Sequence, residues 1–307
     1  LLATGCFESP RAERLIPGTR PSGIFTTGTL QQLANLRGLK PGNRALIVGS
    51  EHVALSSAFT LRRAGTSIAG MVEKDVDLHT YASVATLMRR LFAFPIFKHA
   101  SIRRILGNRR VEGVEILVED HGEVLQIQCD TVVLTGRFRP DSSLIDSTPI
   151  EKDPFTLGPR VDTTFMTSVP NIFAAGNVLR GADMHDLCAL EGRLAARAIL
   201  RSMRTLRPGV PPSVSARAER PIRYVVPQRI TPMPKRLLST FLPWPEIQLE
   251  RTLSRPTLEA WSGKERIWQG CYLKLIGNTR IPLPIEKFRW DRVDPGLGIT
   301  LRVAPEV

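Results

Sequence analysis

The apolar positions of this chain follow two periods. "ALIV" at 45–48, "SIAGMV" at 67–72, "TVVL" at 131–134 and "NIFAA" at 171–175 are nearly unbroken runs, which read as strands covered on both faces. "VEGVEILVE" and "VLQIQC" flank the polar turn "DHGE" and read as further strands, and "LLATG" reads as the end of a buried one. Helical spacing appears in three places. "TGTLQQLANLRGL" sets Leu30, Leu33, Leu36 and Leu39 on related faces, with Gly38 and Pro41–Gly42 as its stop. "YASVATLMRRLF" sets Val84, Leu87, Met88 and Leu91 on one face, and "HDLCALEGRLAARAILRSM" spaces Leu187, Leu190, Leu194 and Ala198 for burial. Strands alternating with helices predict an α/β fold with a mostly parallel sheet. After Thr205 the pattern changes. Seven prolines fall between Pro208 and Pro234 in a basic stretch, so 205–236 is expected as an extended linker with no helix, lying along another surface. Arg217, Arg220, Arg223 and Arg229 there suit bidentate carboxylate partners. Residues 237–307 read as a small, mostly β domain.

One strand–turn–helix carries candidate chemistry. "IVGSEHVALSSAFTLRRAG" has the frame of the G-x-G-x-x-G/A turn that holds a dinucleotide pyrophosphate, with Gly49 and Ala54 in place. The middle glycine is replaced by Glu51. A Cβ there obstructs the pyrophosphate, and two like charges ~4 Å apart repel by about 4 kcal/mol at an effective dielectric near 20. That is about a thousandfold in affinity. The same helix N-terminus favours an anion, so Glu51 is expected to fill the cradle itself, with NAD(P) binding lost or much weakened. Glu73 falls where an NAD ribose acceptor belongs and is read as a solvent-facing acid beside Lys74. A remodelled turn that still admits NAD stays open.

Composition narrows the alternatives. At 307 residues, 42% hydrophobic and 23% charged, the chain is an ordinary globular protein with room for two domains. No apolar run spans a membrane, and no basic leader opens the chain. The start "LLATG", without Met, suggests a fragment. The net charge of +13 is uneven: residues 201–307 hold 19 Lys/Arg against 9 Asp/Glu, a net of +10. No nucleic-acid-binding motif accompanies it, so an acidic companion surface is expected before an anionic membrane, and nucleic acid is not. Cys6, Cys129, Cys188 and Cys271 are far apart with no C-x-x-C, which argues for buried structural thiols, a reducing compartment and no Cys-ligated cluster. His79, His99 and His121 lack partners at metal spacing, and no metal is expected. Arg137 and Arg139 are read as surface arginines, and no general base is evident.

Three motifs in order carry a resemblance. "LLATG" has Ala3-Thr4-Gly5; "CDTVVLTGRFRPDSSLI" has Thr135-Gly136 and Pro140; "VDTTFMTSVPNIFAAGNV" ends in Gly176-Asn177. Together they resemble the two-dinucleotide-domain flavoproteins related to the pyridine-nucleotide–disulfide oxidoreductases, over residues 1–203. The nearest resemblance is to the branch of opine and hydroxyproline dehydrogenase, hydrogen cyanide synthase and glycerol-3-phosphate dehydrogenase-like proteins. It implies an FAD domain from 1–24 and 130–204, interrupted by an NAD(P)-like Rossmann domain at 25–129. It also implies a flavin-binding G-x-G-x-x-G upstream of Leu1. Ala3, Thr4, Gly5, Thr135, Gly136, Gly176 and Asn177 would then meet FAD, with Asn177 in place of an acid. His185 and Asp186, with Asp183, would stand at a helix N-terminus facing the flavin pyrimidine edge, or serve as ordinary caps. The implied activity is flavin-dependent oxidation of a small amine, amino acid or hydroxy acid, with electrons leaving to a partner or quinone, in the cytoplasm or peripheral to the membrane. An NAD(P)H-dependent flavin reductase and a non-catalytic interaction subunit are the alternatives.

Overall fold

The strand Arg44–Val48 is apolar from Ala45 onward because both of its faces are covered there. In the computed structural model, which describes residues 1–78, 93–204, 213–231 and 244–305, Ala45 and Ile47 pack beneath helix His52–Arg63 with Ala54, Ala58 and Leu61. Leu46 and Val48 face the opposite side, against Ile105, Val114 and Ile116. The strand lies third in a five-stranded sheet ordered Ile24–Thr26, Thr131–Leu134, Arg44–Val48, Ser67–Val72, Ile96–Phe97, parallel at every pairing. An antiparallel sheet of Ala100–Gly107, Val111–Val118 and Glu123–Gln128 covers its second face. The α/β class is as expected. The contacts gather Glu8–Arg137 into one unit, so its limits fall outside the expected 25–129 at both ends.

The second unit comprises Leu1–Phe7 and Phe138–Val307. Leu2 bridges Ala174 in parallel, which brings Ala3–Gly5 beside Gly176–Asn177. "LLATG" is thus a short bridge, not a buried strand, and Leu1 is exposed. The long helix His185–Arg204 rests Leu187, Leu190, Leu194 and Ala198 on a core containing Val161, Phe173 and the stacked rings of Phe165 and Trp244, 4.4 Å apart. The β part of this unit has a five-stranded sheet (Arg229–Ile230, Val214–Ala218, Ile299–Val303, Thr257–Ser262, Glu265–Cys271) and a three-stranded one (Ile222–Val226, Glu246–Leu249, Ile281–Pro282).

Several expectations are corrected. Residues 214–218, 222–226 and 229–230 are not a linker but strands, with Val214, Ala216, Ile222, Val225 and Ile230 in the β core. Proline here breaks helices without preventing short strands. Arg229 meets the carbonyls of Met166 and Thr167, Arg217 meets the Thr300 hydroxyl, and Arg220 reaches a carboxylate, Glu250, at 3.4 Å. "TGTLQQLANLRGL" forms an α-turn, Thr27–Gln31, that passes into a π-helix, Gln32–Leu36. The wider turn rotates the face, so Leu30 is buried while Leu36 and Leu39 are exposed. Of the cysteines, Cys129 is buried and Cys271 exposed. His99 pairs with Asp120 at 2.5 Å. The "YASVATLMRRLF" helix, His79, and the linker ends 205–212 and 232–236 lie outside the described residues.

Candidate functional site

In a parallel α/β sheet the ligand crevice opens where neighbouring strands lead to opposite sides. Here that point lies between Arg44–Val48 and Thr131–Leu134, whose ends are in register, Val48 opposite Leu134. Gly49 and Thr135 therefore stand side by side, and Glu51 lies over both. Thr135 Oγ1 is 2.9 Å from Glu51 Oε2 and 2.9 Å from the Val48 carbonyl, so one hydroxyl proton serves two acceptors. Gly49 (φ +117°) and Gly136 (φ +65°) make room for the carboxylate: a Cβ on Gly49 would lie 2.6 Å from Glu51 Oε2, and one on Gly136 2.6 Å from its Cδ.

This arrangement corrects the self-filled cradle. Glu51 is the N-cap residue of helix His52–Arg63, but its side chain makes no capping hydrogen bond. It turns back over the sheet, and the helix N-terminus keeps its attraction for an outside anion. Glu73 is corrected as well. It is 4% exposed, at the end of Ser67–Val72, not in solvent. The Ser50 hydroxyl donates to its Oε2, and the Asp75 N–H donates to its Oε1 at 3.0 Å. The turn and the ribose-acceptor position are thereby linked. Arg14, which the sequence reading missed, holds the floor: it donates to the carbonyls of Ser9, Thr135 and Gly136 at 2.8, 2.7 and 2.8 Å. Among the residues expected at the flavin, Thr135 and Gly136 lie against Glu51.

The other expected flavin residues assemble in the second unit. Thr4 Oγ1 donates to the Asp141 carbonyl at 2.6 Å, and the Asp141 N–H donates to the Gly5 carbonyl at 2.9 Å. Gly5 (φ +81°) and Gly176 (φ +82°) have open space where a Cβ would stand, as close approach by a ligand requires. Ala3 is exposed beside them. Asn177 Oδ1 accepts from the Asp183 N–H and the Cys188 thiol, both at 3.1 Å, which leaves Nδ2 as a donor without a partner among the described residues. These positions fit the ribityl end of a flavin, with an amide donating where the acid would have accepted. Asp186 Oδ1 accepts from the Leu187 N–H, and His185 is exposed at the start of the helix.

Behind this turn lies a buried charge cluster that no local motif announced. Glu191, on the long helix, is fully buried, accepts the Gly176 N–H at 2.9 Å and pairs with Arg180 and Arg280. Glu246, from the β part, meets Arg180 at 2.5 Å and Arg280 at 3.2 Å, and Arg280 also binds Asp183. Three carboxylates thus share two guanidinium groups. Burial, outweighing Arg180, pushes the Asp183 carboxyl up to about 6 and the Glu246 carboxyl well above its ordinary value. The same burial, with Glu191 and Asp183 adding, raises the Cys188 thiol to about 11 and keeps it protonated.

The parallel sheet with its glycine turn defines a dinucleotide-binding-type α/β protein. The pyridine nucleotide-disulphide oxidoreductase family matches residues 1–199, and the chain belongs to that family. It is 35% identical over 97 residues to the dihydrolipoyl dehydrogenase of Geobacillus stearothermophilus, covering 30% of this chain and 20% of that protein. It is 26% identical over 172 residues to ferredoxin–NADP reductase 1 of Oceanobacillus iheyensis, covering 54% and 48%. The chain spans about half or less of these curated relatives. In fold it is similar to the thioredoxin reductases of T. acidophilum (TM-score 0.57, 19% identity, 66% of this chain and 65% of that one) and Lactococcus lactis (0.56, 18%, with the same coverage). By name these relatives are a dehydrogenase and reductases, and the narrower branch suggested by the sequence has no counterpart among them. No helix among the described residues is long and apolar enough to cross a membrane.

Proposed function

We propose that this chain is the nucleotide-binding part, and a share of the flavin-binding part, of an NAD(P)H-dependent flavin oxidoreductase. The carrying observation is the linked pair at the switch point: a Gly49–Ala54 turn whose helix N-terminus has no side-chain cap, and buried Glu73 tied to that turn through Ser50. Glu73 would accept from ribose hydroxyls, and the first-turn amides would receive the pyrophosphate. In the second unit Gly5 and Gly176 would admit FAD closely, and Asn177 Nδ2 would donate to its ribityl chain. Bound FAD would supply the two-electron acceptor for hydride. The similarity to ferredoxin–NADP reductase 1 supports this reading over oxidation of a small amine, amino acid or hydroxy acid.

Glu51 favours that second reading in one respect, because its carboxylate stands beside the pyrophosphate path. Stopped-flow mixing of the FAD-loaded protein with NADH and NADPH separates the two. Rapid bleaching of the flavin, slowed severely by Glu73→Ala, is expected. If the flavin stays oxidised with either nucleotide and is bleached by a small amine, amino acid or hydroxy acid, hydride comes from that substrate and the proposal is wrong.

A further inference from the structure

A trough of about 720 Å³ lies beside the edge strand Ile24–Thr26, with Leu134 of the neighbouring strand in its wall. Its volume is that of a small-molecule site. Ile16, Ile24, Phe25 and Leu134 make its walls apolar, and Arg11 and Arg20 are its charged lining residues. No carboxylate lines it. Arg11 is fixed: its guanidinium donates to the carbonyls of Ile16, Pro17 and Thr19, pinning the 10–21 segment that roofs the space. Burial and then the charge of Arg20 lower the Arg11 pKa, as expected for two close cations without a counter-ion. Arg20 has no hydrogen-bond or ion-pair partner among the described residues, so its donors remain free. At the rim, Leu15 is 84% exposed and held at φ +54°, an unfavourable backbone for a bulky side chain. Arg14 imposes it from the next position, through its bonds to Ser9, Thr135 and Gly136.

Apolar walls with an unneutralised guanidinium pair select an anionic head on an apolar body. The geometry points to a binding site in this trough for a small amphipathic anion, its carboxylate or phosphate on Arg20 and its body against Ile24, Phe25 and Leu134. The inference does not rest on nucleotide binding at Glu73.

Calorimetric titration of the 307-residue chain with octanoate, octyl phosphate, acetate and inorganic phosphate tests it. Saturable one-to-one binding is expected for one or both octyl anions, with acetate and phosphate at least about tenfold weaker because they lack the apolar body. The stronger of the two octyl anions identifies the head group. Arg20→Gln should weaken that binding about tenfold or more by removing a charged hydrogen bond. Ala12→Phe, at another exposed lining residue, should block it by filling the trough. Both positions are exposed, so the thermal midpoint should not move. The inference is overturned if neither octyl anion saturates, if the short anions bind equally well, or if folded Arg20→Gln binds like the parent chain.

Discussion

Replacing Glu51 separates the two things its carboxylate does. Within the fold it accepts one hydrogen bond from Thr135, whose Oγ1 also has the Val48 carbonyl at 2.9 Å. Glu51→Gly should therefore cost only about 1 kcal/mol of stability, since Thr135 keeps an acceptor and glycine is tolerated at an N-cap. For a pyrophosphate on the helix N-terminus the carboxylate is a repelling charge. At ~4 Å and an effective dielectric near 20 the repulsion is about 4 kcal/mol, an upper bound because Glu51 is only partly buried. NADH affinity should rise tenfold or more in Glu51→Gly and by a smaller factor in Glu51→Gln, which removes charge and keeps bulk. Titration calorimetry at low and high salt is the assay. The parental affinity should improve with salt relative to both variants, as screening weakens the repulsion. Unchanged affinity in both variants would refute the electrostatic reasoning and show that Glu51 swings clear of the nucleotide.

Gly136→Ala should destabilise the chain by about 1–2 kcal/mol, because its φ of +65° and the Glu51 carboxylate both oppose a Cβ. Adding Glu51→Gly should recover the steric share and leave the backbone share, which a double-mutant cycle by urea unfolding reads directly. The Arg180–Arg280 cluster should make the second unit more stable in mild acid. Folding raises the Asp183 carboxyl from 3.8 to about 6, so the folded state binds the extra proton between those values and stability falls as pH rises through that window. The loss is at most about 3 kcal/mol, shared over the cluster, and Trp fluorescence reads it because all four tryptophans lie in that unit. A flat profile from pH 4 to 7 would show that the cluster does not take up the proton.

What the sequence disclosed and what it hid follow from range. Unbroken apolar runs such as 45–48 and 131–134 report burial on both faces, and that property is local, so the parallel sheet was legible. The 214–230 strands were not, because their prolines and arginines outweighed Val214, Ile222 and Ile230, whose burial depends on strand partners that lie 16 to 83 residues away. The position of Glu51 was visible, but its direction was not. Which way a side chain turns depends on Thr135 and Gly136, 84 and 85 residues further on. Glu73 looked exposed beside Lys74 because nothing local says that Ser50 returns to meet it. The buried cluster joins Arg180 and Glu191 to Glu246 and Arg280, and no spacing rule links such positions. Arg14 had a weak signal, as an arginine in a Pro-rich loop, where carbonyls without ladder partners attract guanidinium donors.

In the proposed function a pyridine nucleotide seats on the Gly49–Ala54 turn with Glu73 at its ribose. Amide hydrogen exchange of the chain, with and without saturating NADH, tests this most directly. Slowed exchange is expected at residues 50–55 and 73–75 alone, with no slowing in Glu73→Ala at the same concentration. Protection that appears elsewhere, or unchanged protection in Glu73→Ala, would contradict it.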